Sequence, residues 1–183
     1  MGPSPVSDLT DVCRGIELLV LDVDGVLTDG GIFLTGDGEI KRFHAHDGLG
    51  IKLAMAANIE VAIATARVSA PVAQRAGELG INTALQGRID KVTAVAELAT
   101  ERGLAHSRIA YIGDDLPDLP AMRSVGLPIA VANARPEVQA AALHITAASG
   151  GNGAVREAVE WLLEMRGQKN SVMARFLGDA TAQ

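Results

Sequence analysis

The chain has a single cysteine, Cys13, among its 183 residues, which excludes an internal disulfide and any cluster of thiolate metal ligands. Aromatic residues are scarce at 3%, against 48% hydrophobic residues overall, and runs of like charge are few; this is the composition of a globular α/β protein. Basic residues are scattered and the formal net charge is −6. The electrostatic footprint of a nucleic-acid binder is therefore missing, and a small-molecule ligand is the expectation. No apolar run reaches the length that spans a bilayer, and the opening Met1-Gly2-Pro3-Ser4-Pro5 lacks the basic start and apolar core of a signal peptide. The expectation is a soluble, cytoplasmic protein. There is no repeat at a fixed period and no low-complexity block, and 183 residues suit one well-buried domain.

What the sequence does contain is a series of short apolar runs, each followed by an amphipathic stretch: Leu18–Leu21, Val61–Ala64, Ile109–Ile112 and Ile129–Val131. Such runs suit parallel strands covered on both faces. The pattern predicts helices near 47–57, 69–79, 91–101, 117–124, 136–142 and 153–166. Strand-helix alternation of this kind predicts an α/β fold with a doubly wound parallel sheet and right-handed crossovers. Gly31–Phe43 breaks the pattern, because two short β-type runs flank a turn containing Asp37-Gly38, and a hairpin is expected to project there. In the last helix Val155, Ala158, Val159 and Leu162 form the apolar stripe, and Trp161 falls off it, as if to face a partner subunit. Gly150, Gly151 and Gly153 read as the turn before that helix, and Gly167–Gln183 as a loose tail.

Open α/β sheets bind ligands at the carboxyl ends of their strands, so the polar residues that follow the apolar runs are the candidates for chemistry. They are Asp22 and Asp24, then Thr65, then Gly113-Asp114-Asp115, with Lys91 opening a helix between the second and third runs. Carboxylates gathered at one edge repel one another unless a cation neutralises them, and oxygen-only ligands favour a hard ion such as Mg²⁺. Asp22 can offer one oxygen to the metal and the other to phosphorus, giving an aspartyl-phosphate. Asp24 can protonate the leaving oxygen and later activate water. Lys91, with the hydroxyl and backbone N–H of Thr65, suits the charge of a phosphoryl group in transfer. Taken singly, each piece has a plainer reading: a solvated Asp-x-Asp turn, an exposed first-turn lysine, a strand-end hydroxyl. Their order and spacing favour function. Asp118 divides evenly between a helix first-turn role and the site. His44 and His46 are assigned to substrate contact or plain surface rather than to metal. Arg67 is a candidate phosphate or carboxylate contact, and Arg75 reads rather as a solvated helical charge.

In this order, Asp22-Val23-Asp24-Gly25-Val26, Thr65, Lys91 and Gly113-Asp114-Asp115-Leu116-Pro117-Asp118 resemble the four motifs of the haloacid dehalogenase superfamily of phosphatases. The resemblance implies Asp22 as nucleophile, Asp24 as acid/base and backbone-carbonyl metal ligand, Asp114 as a third metal contact and Asp115 as an accessory acid. Superfamily members usually carry a cap domain between the first and second or the second and third motifs. Neither gap has room for one here, so the fold should be capless with a projecting hairpin. Within the superfamily, Asp24–Gly30, Phe43–Gly50 and Gly150–Glu157 look like the 3-deoxy-D-manno-octulosonate 8-phosphate phosphatases. That likeness implies a homotetramer serving lipopolysaccharide precursor synthesis, and it makes Asp47 and Gly48 secondary site candidates.

The expected division is an N-terminal extension over 1–15, a phosphatase domain over 16–166 and a C-terminal tail over 167–183. One departure stands out: Ala66-Arg67 follows the motif-two threonine where this family has Gly-Arg. The alternatives are a nine-carbon sialic-acid-type 9-phosphate phosphatase and a non-catalytic module that retains the fold.

Overall fold

The computed structural model describes residues 9–36 and 38–178; Asp37 of the expected turn and the two chain ends lie outside the described residues. In chain order the elements are α1 (Leu9–Gly15), β1 (Leu18–Leu21), β2 (Phe33–Thr35), β3 (Gly38–Ile40), α2 (Ala45–Ala56), β4 (Glu60–Ala64), α3 (Ala70–Leu79) and β5 (Thr83–Leu85). They continue with α4 (Lys91–Arg102), β6 (Ile109–Gly113), α5 (Leu119–Ser124), β7 (Leu127–Ala130), α6 (Pro136–Gln139), β8 (His144–Ile145), α7 (Ala154–Met165) and α8 (Lys169–Leu177).

Six strands form one parallel sheet in the order β5-β4-β1-β6-β7-β8. Every residue of β1 and β6 is buried, as continuous apolar runs in a doubly covered sheet require. The order departs in opposite directions from β1 and β6, and at such a point the loops leaving neighbouring strands part to leave a crevice. Leu21 pairs with Ile63 on one side and Ile112 on the other, and the Asp22 N–H donates to the Ile112 carbonyl at 3.1 Å. The residues that follow β1, β4 and β6 therefore emerge side by side. Helix starts are set locally. Ser69 Oγ accepts from the Val72 N–H at 3.4 Å to cap α3, and Asp90 accepts from the Thr93 N–H at 3.1 Å to cap α4, which makes Lys91 the first residue of that helix.

The hairpin forms as β2 and β3, paired antiparallel with Phe33 opposite Ile40. Between Asp22 and Thr65 lie only the hairpin, α2 and β4, and between Thr65 and Lys91 only α3 and β5, so no cap domain is inserted in either segment. The short strands β5 and β8, three and two residues long, escape recognition by pattern because they are too brief to show a period. The expected helix over 117–124 divides into a 3₁₀ turn at Leu116–Asp118 and α5.

Trp161 does not stand free. Its ring stacks on the His144 imidazole of the same chain, with centroids 3.8 Å apart and planes 4° from parallel. His44 and His46, which alternate as on a strand, instead flank the start of α2, with His44 as its N-cap. Residues 169–177, placed by sequence in a loose tail, form a helix that buries Val172 among the core residues.

Arg166 braces the N-terminal helix. Its guanidinium donates to the carbonyls of Cys13 at 3.1 Å, Arg14 at 3.2 Å and Ile16 at 2.7 Å, at the end of α1 and the entry to β1. Removing it takes the donor from the partly buried Ile16 carbonyl and one of two donors from that of Cys13. Arg166→Ala is expected to lower the unfolding free energy by about 2 kcal/mol, read from urea denaturation; an unchanged midpoint would contradict the brace.

Candidate active site

Asp22, at the end of β1, and Lys91, at the start of α4, meet across the crevice with Nζ 2.8 Å from Asp22 Oδ1. The same ammonium reaches Asp118 Oδ1 at 2.6 Å. All three side chains are under 10% exposed. The Asp118 carboxylate is fully engaged: Oδ1 also accepts the Tyr111 hydroxyl at 2.7 Å, and Oδ2 accepts the Asp114 and Asp115 N–H groups at 3.0 and 3.2 Å. Its work is to fix the turn after β6 and the Lys91 ammonium. Asp115, on the same turn, caps it by accepting the Leu116 N–H at 2.8 Å and lies at the cleft's exposed rim.

Carboxylate oxygens of Asp22, Asp114 and Asp118 lie within 4.8 Å of one another. Three carboxylates against the single Lys91 leave a formal charge of −2, the charge one divalent cation cancels. Asp114 Oδ1 is buried without a hydrogen-bond partner, an orphaned acceptor aimed into the group. Oxygen-only donors, surplus negative charge and an unpaired buried oxygen together fit a hard ion such as Mg²⁺.

Burial, reinforced by Asp118, pushes the Asp22 carboxyl up to about 6. Burial and then the Asp22 charge push Asp114 up to about 8. For Lys91, burial pulls the ammonium down, but the Asp22 and Asp118 carboxylates outweigh it and hold its pKa above the ordinary value.

Asp24 lines the same cleft but is not one of the three clustered carboxylates, and its partners are cations. Lys41, immediately after β3, donates to Asp24 Oδ1, and Arg67 Nε stands 3.7 Å from Asp24 Oδ2. Arg67 also donates to Glu39 Oε2 at 3.1 Å. Thr65 is buried at the tip of β4, and its N–H is committed to the Leu85 carbonyl at 2.9 Å, so the hydroxyl alone remains to be offered. Ala66 is exposed, and its backbone is outside the left-handed region, so the methyl in place of the family's glycine carries no backbone strain.

Asp22, Asp24, Thr65, Ala66, Arg67, Lys91, Asp114, Asp115, Pro117 and Asp118 line one cleft of about 170 Å³. Asp47 and Gly48 are not part of its wall. Asp47 is buried and accepts the Gly153 and Arg156 N–H groups at 3.2 and 2.9 Å, capping α7 from α2. Gly48 makes room for Arg75, whose Nη2 would lie 2.5 Å from a Cβ there.

The glycines before α7 do more than turn the chain. A Cβ on Gly150 would stand 1.7 Å from the Gly25 carbonyl oxygen, and one on Gly25, whose φ is +100°, 2.0 Å from Asp114 Oδ2. Only glycine permits these backbones to close on the metal-fitting group.

Reading by motif overlooked Lys41 and Tyr111. Lys41 belongs to no recognisable spacing, because it reaches the site through the hairpin's return. Tyr111 had a signal: a hydroxyl inside an otherwise apolar strand run has to find a buried partner.

Because Asp22 and Asp114 hold protons more tightly folded than unfolded, their contribution to metal-free stability is complete below the ordinary carboxylate range. It is lost as pH rises through about 6 and then about 8. Mg²⁺ competes with those protons. The rise in melting temperature on adding Mg²⁺ should therefore grow between pH 6 and pH 8, and a gain independent of pH in thermal unfolding would contradict the assignment.

Residues 83–158 match the family model described as haloacid dehalogenase-like hydrolase. The chain is 44% identical over 166 residues to the 3-deoxy-D-manno-octulosonate 8-phosphate phosphatase KdsC of Escherichia coli strain K12, covering 90% of this chain and 88% of the relative. It superposes with a TM-score of 0.89 and 42% identity on the crystal structure of that phosphatase from Moraxella catarrhalis in complex with a magnesium ion, a phosphate ion and a KDO molecule, covering 93% of this chain and 99% of that one. The cobalt-bound phosphatase of Haemophilus influenzae gives a TM-score of 0.86 at 40% identity, over 91% of this chain and 98% of that one. Near-complete coverage at this identity, on a sheet whose β1 and β6 bring Asp22 and Asp114 together, shows that the chain belongs to the 3-deoxy-D-manno-octulosonate 8-phosphate phosphatase family of haloacid dehalogenase-like hydrolases.

Proposed function

We propose that this chain hydrolyses 3-deoxy-D-manno-octulosonate 8-phosphate to 3-deoxy-D-manno-octulosonate and inorganic phosphate, with Asp22 as nucleophile. The observation that carries this reading is the buried contact of Asp22 with Lys91 at 2.8 Å beside Asp114, in one cleft with Asp24, Thr65 and Arg67. One Asp22 oxygen is held by the ammonium, and the other attacks phosphorus. As the new P–O bond forms, the bond from phosphorus to the sugar oxygen breaks, and Asp24 gives that oxygen its proton. Water then attacks the aspartyl-phosphate, Asp24 takes back a proton, and phosphate leaves with Asp22 restored. Lys91, Arg67 and the Thr65 hydroxyl face the phosphoryl oxygens, where negative charge collects. Mg²⁺ would be held by the Asp22 and Asp114 carboxylates and the Asp24 backbone carbonyl, and would supply the remaining positive charge.

The identity of the sugar rests on the relatives: the curated phosphatases at 44% identity act on this ester by name, and a relative's crystal structure holds KDO. Purified protein with Mg²⁺ should give a kcat/KM for the eight-carbon 8-phosphate at least tenfold above that for a nine-carbon sugar-acid 9-phosphate, about 1.4 kcal/mol of discrimination. Equal values would overturn the substrate. Asp22→Asn should lower kcat by about 10⁴-fold or more; unchanged phosphate release would overturn the nucleophile.

We further propose that the enzyme works in the cytoplasm as a homotetramer joined through the hairpin. Phe33, Leu34 and Ile40 are 55%, 76% and 60% exposed on it, an apolar surface that a second copy would cover. Native mass spectrometry should find four chains. A monomer at micromolar concentration would remove this reading.

A further inference from the structure

The strands of the hairpin are largely exposed, but the side chain that follows them is not. Lys41, which directly follows β3, has a side chain only 1% exposed. A buried ammonium is costly without a counter-charge and hydrogen-bond acceptors. Lys41 finds its contact in Asp24 Oδ1, 17 residues earlier in the chain, while Glu39 Oε2 stands farther off at 3.9 Å. The other Asp24 oxygen faces Arg67 at 3.7 Å, but that guanidinium is 43% exposed and shared with Glu39. Of the two cations, only Lys41 is immobilised by its surroundings.

We propose that Lys41 is a positioning residue for the reaction, holding the Asp24 carboxylate over the cleft in the orientation that proton transfer requires. This inference rests on the reading of Asp24 as the acid and base. Asp24 lies on a loop beyond the end of β1, followed by Gly25 with φ +100°, and its carboxylate is 21% exposed. Such a side chain has freedom to swing. A general acid must come within about 2.6–3.2 Å of the oxygen it protonates, and a misplacement of about 1 Å costs on the order of 100-fold in rate. Lys41 supplies the restraint from outside the motif, and it ties the orientation of the acid to the seating of the hairpin. The element that projects from the fold thus reaches into the chemistry at its base.

The leaving group separates this role from a merely structural one. Expulsion of p-nitrophenolate needs no proton, whereas expulsion of a sugar alkoxide does. Both esters form the same aspartyl-phosphate, whose breakdown needs Asp24 as base. With p-nitrophenyl phosphate and Mg²⁺, Lys41→Met should keep a rapid burst of p-nitrophenol close to one per site and lose about tenfold in the steady-state rate that follows. With the sugar-acid phosphate, the single-turnover formation of the aspartyl-phosphate should itself slow by about tenfold or more, at little change in KM.

Asp24→Asn should show the same pattern more strongly, by about 100-fold or more. If Asp24→Asn leaves both steps intact, the reading of Asp24 fails, and this inference falls with it. If Asp24→Asn shows the pattern while Lys41→Met matches the wild type, or slows burst and steady state equally with both esters, the role of Lys41 alone is overturned. Lys41→Gln, which keeps the side-chain stem and a hydrogen-bond donor, is the second variant should Lys41→Met fail to fold. For it the same burst with a slower steady state is expected, and unaltered kinetics with both esters would overturn the inference.

Discussion

Surplus negative charge held out of water is the constraint on which this structure turns. Asp22, Asp114 and Asp118 converge beside β1 and β6 with one ammonium among them. Left alone, such a group would protonate or move apart. The surrounding chain holds it in place. Tyr111 and two backbone N–H groups saturate Asp118, Lys91 bridges Asp118 to Asp22, and glycine at position 25 lets the backbone lie against Asp114. The unmet charge is what fits the site for a divalent cation.

The same economy governs the wall around the group. The loop of Gly150 and Gly151 presses on the loop that follows β1, with the Gly151 N–H donating to the Val26 carbonyl at 2.9 Å. Arg42 gathers Asp29, the Gly151 carbonyl and Asn152 into one cluster at 3.0–3.4 Å. Asp47 anchors the start of α7 to α2 from the far side. These contacts brace the loop after β1 without entering the cleft. The cleft itself, at about 170 Å³, stays open. A capless fold concentrates its chemistry in the sheet and its selectivity in what lies beyond it.

Much of this was legible in the residues. Apolar runs at Leu18–Leu21 and Ile109–Ile112 announced buried parallel strands, because a strand covered on both faces has no polar side to show. Asp22, Thr65, Lys91 and Asp114 stood just beyond such runs or at a helix start, positions that a doubly wound sheet must bring to one edge. The six-strand order was not legible, since β5 and β8 are too short to carry a period. Nor were the helices Leu9–Gly15 and Lys169–Leu177, in which only Cys13 and Val172 are buried, with Leu9, Val12 and Met173 packed partly buried against distant elements.

By itself, then, the sequence determined which chemical groups stand at strand ends and that neither segment between the motifs holds a cap, because periodicity, strand-end placement and chain length are local properties. Only the tertiary structure decided how those groups divide the work. It committed the Thr65 N–H to the Leu85 carbonyl, occupied every oxygen of Asp118 and seated Trp161 on His144. It also brought Lys41, from the foot of a hairpin, to the carboxylate of Asp24. Those are pairings between residues far apart in the chain, set by register and packing, and no local pattern encodes them.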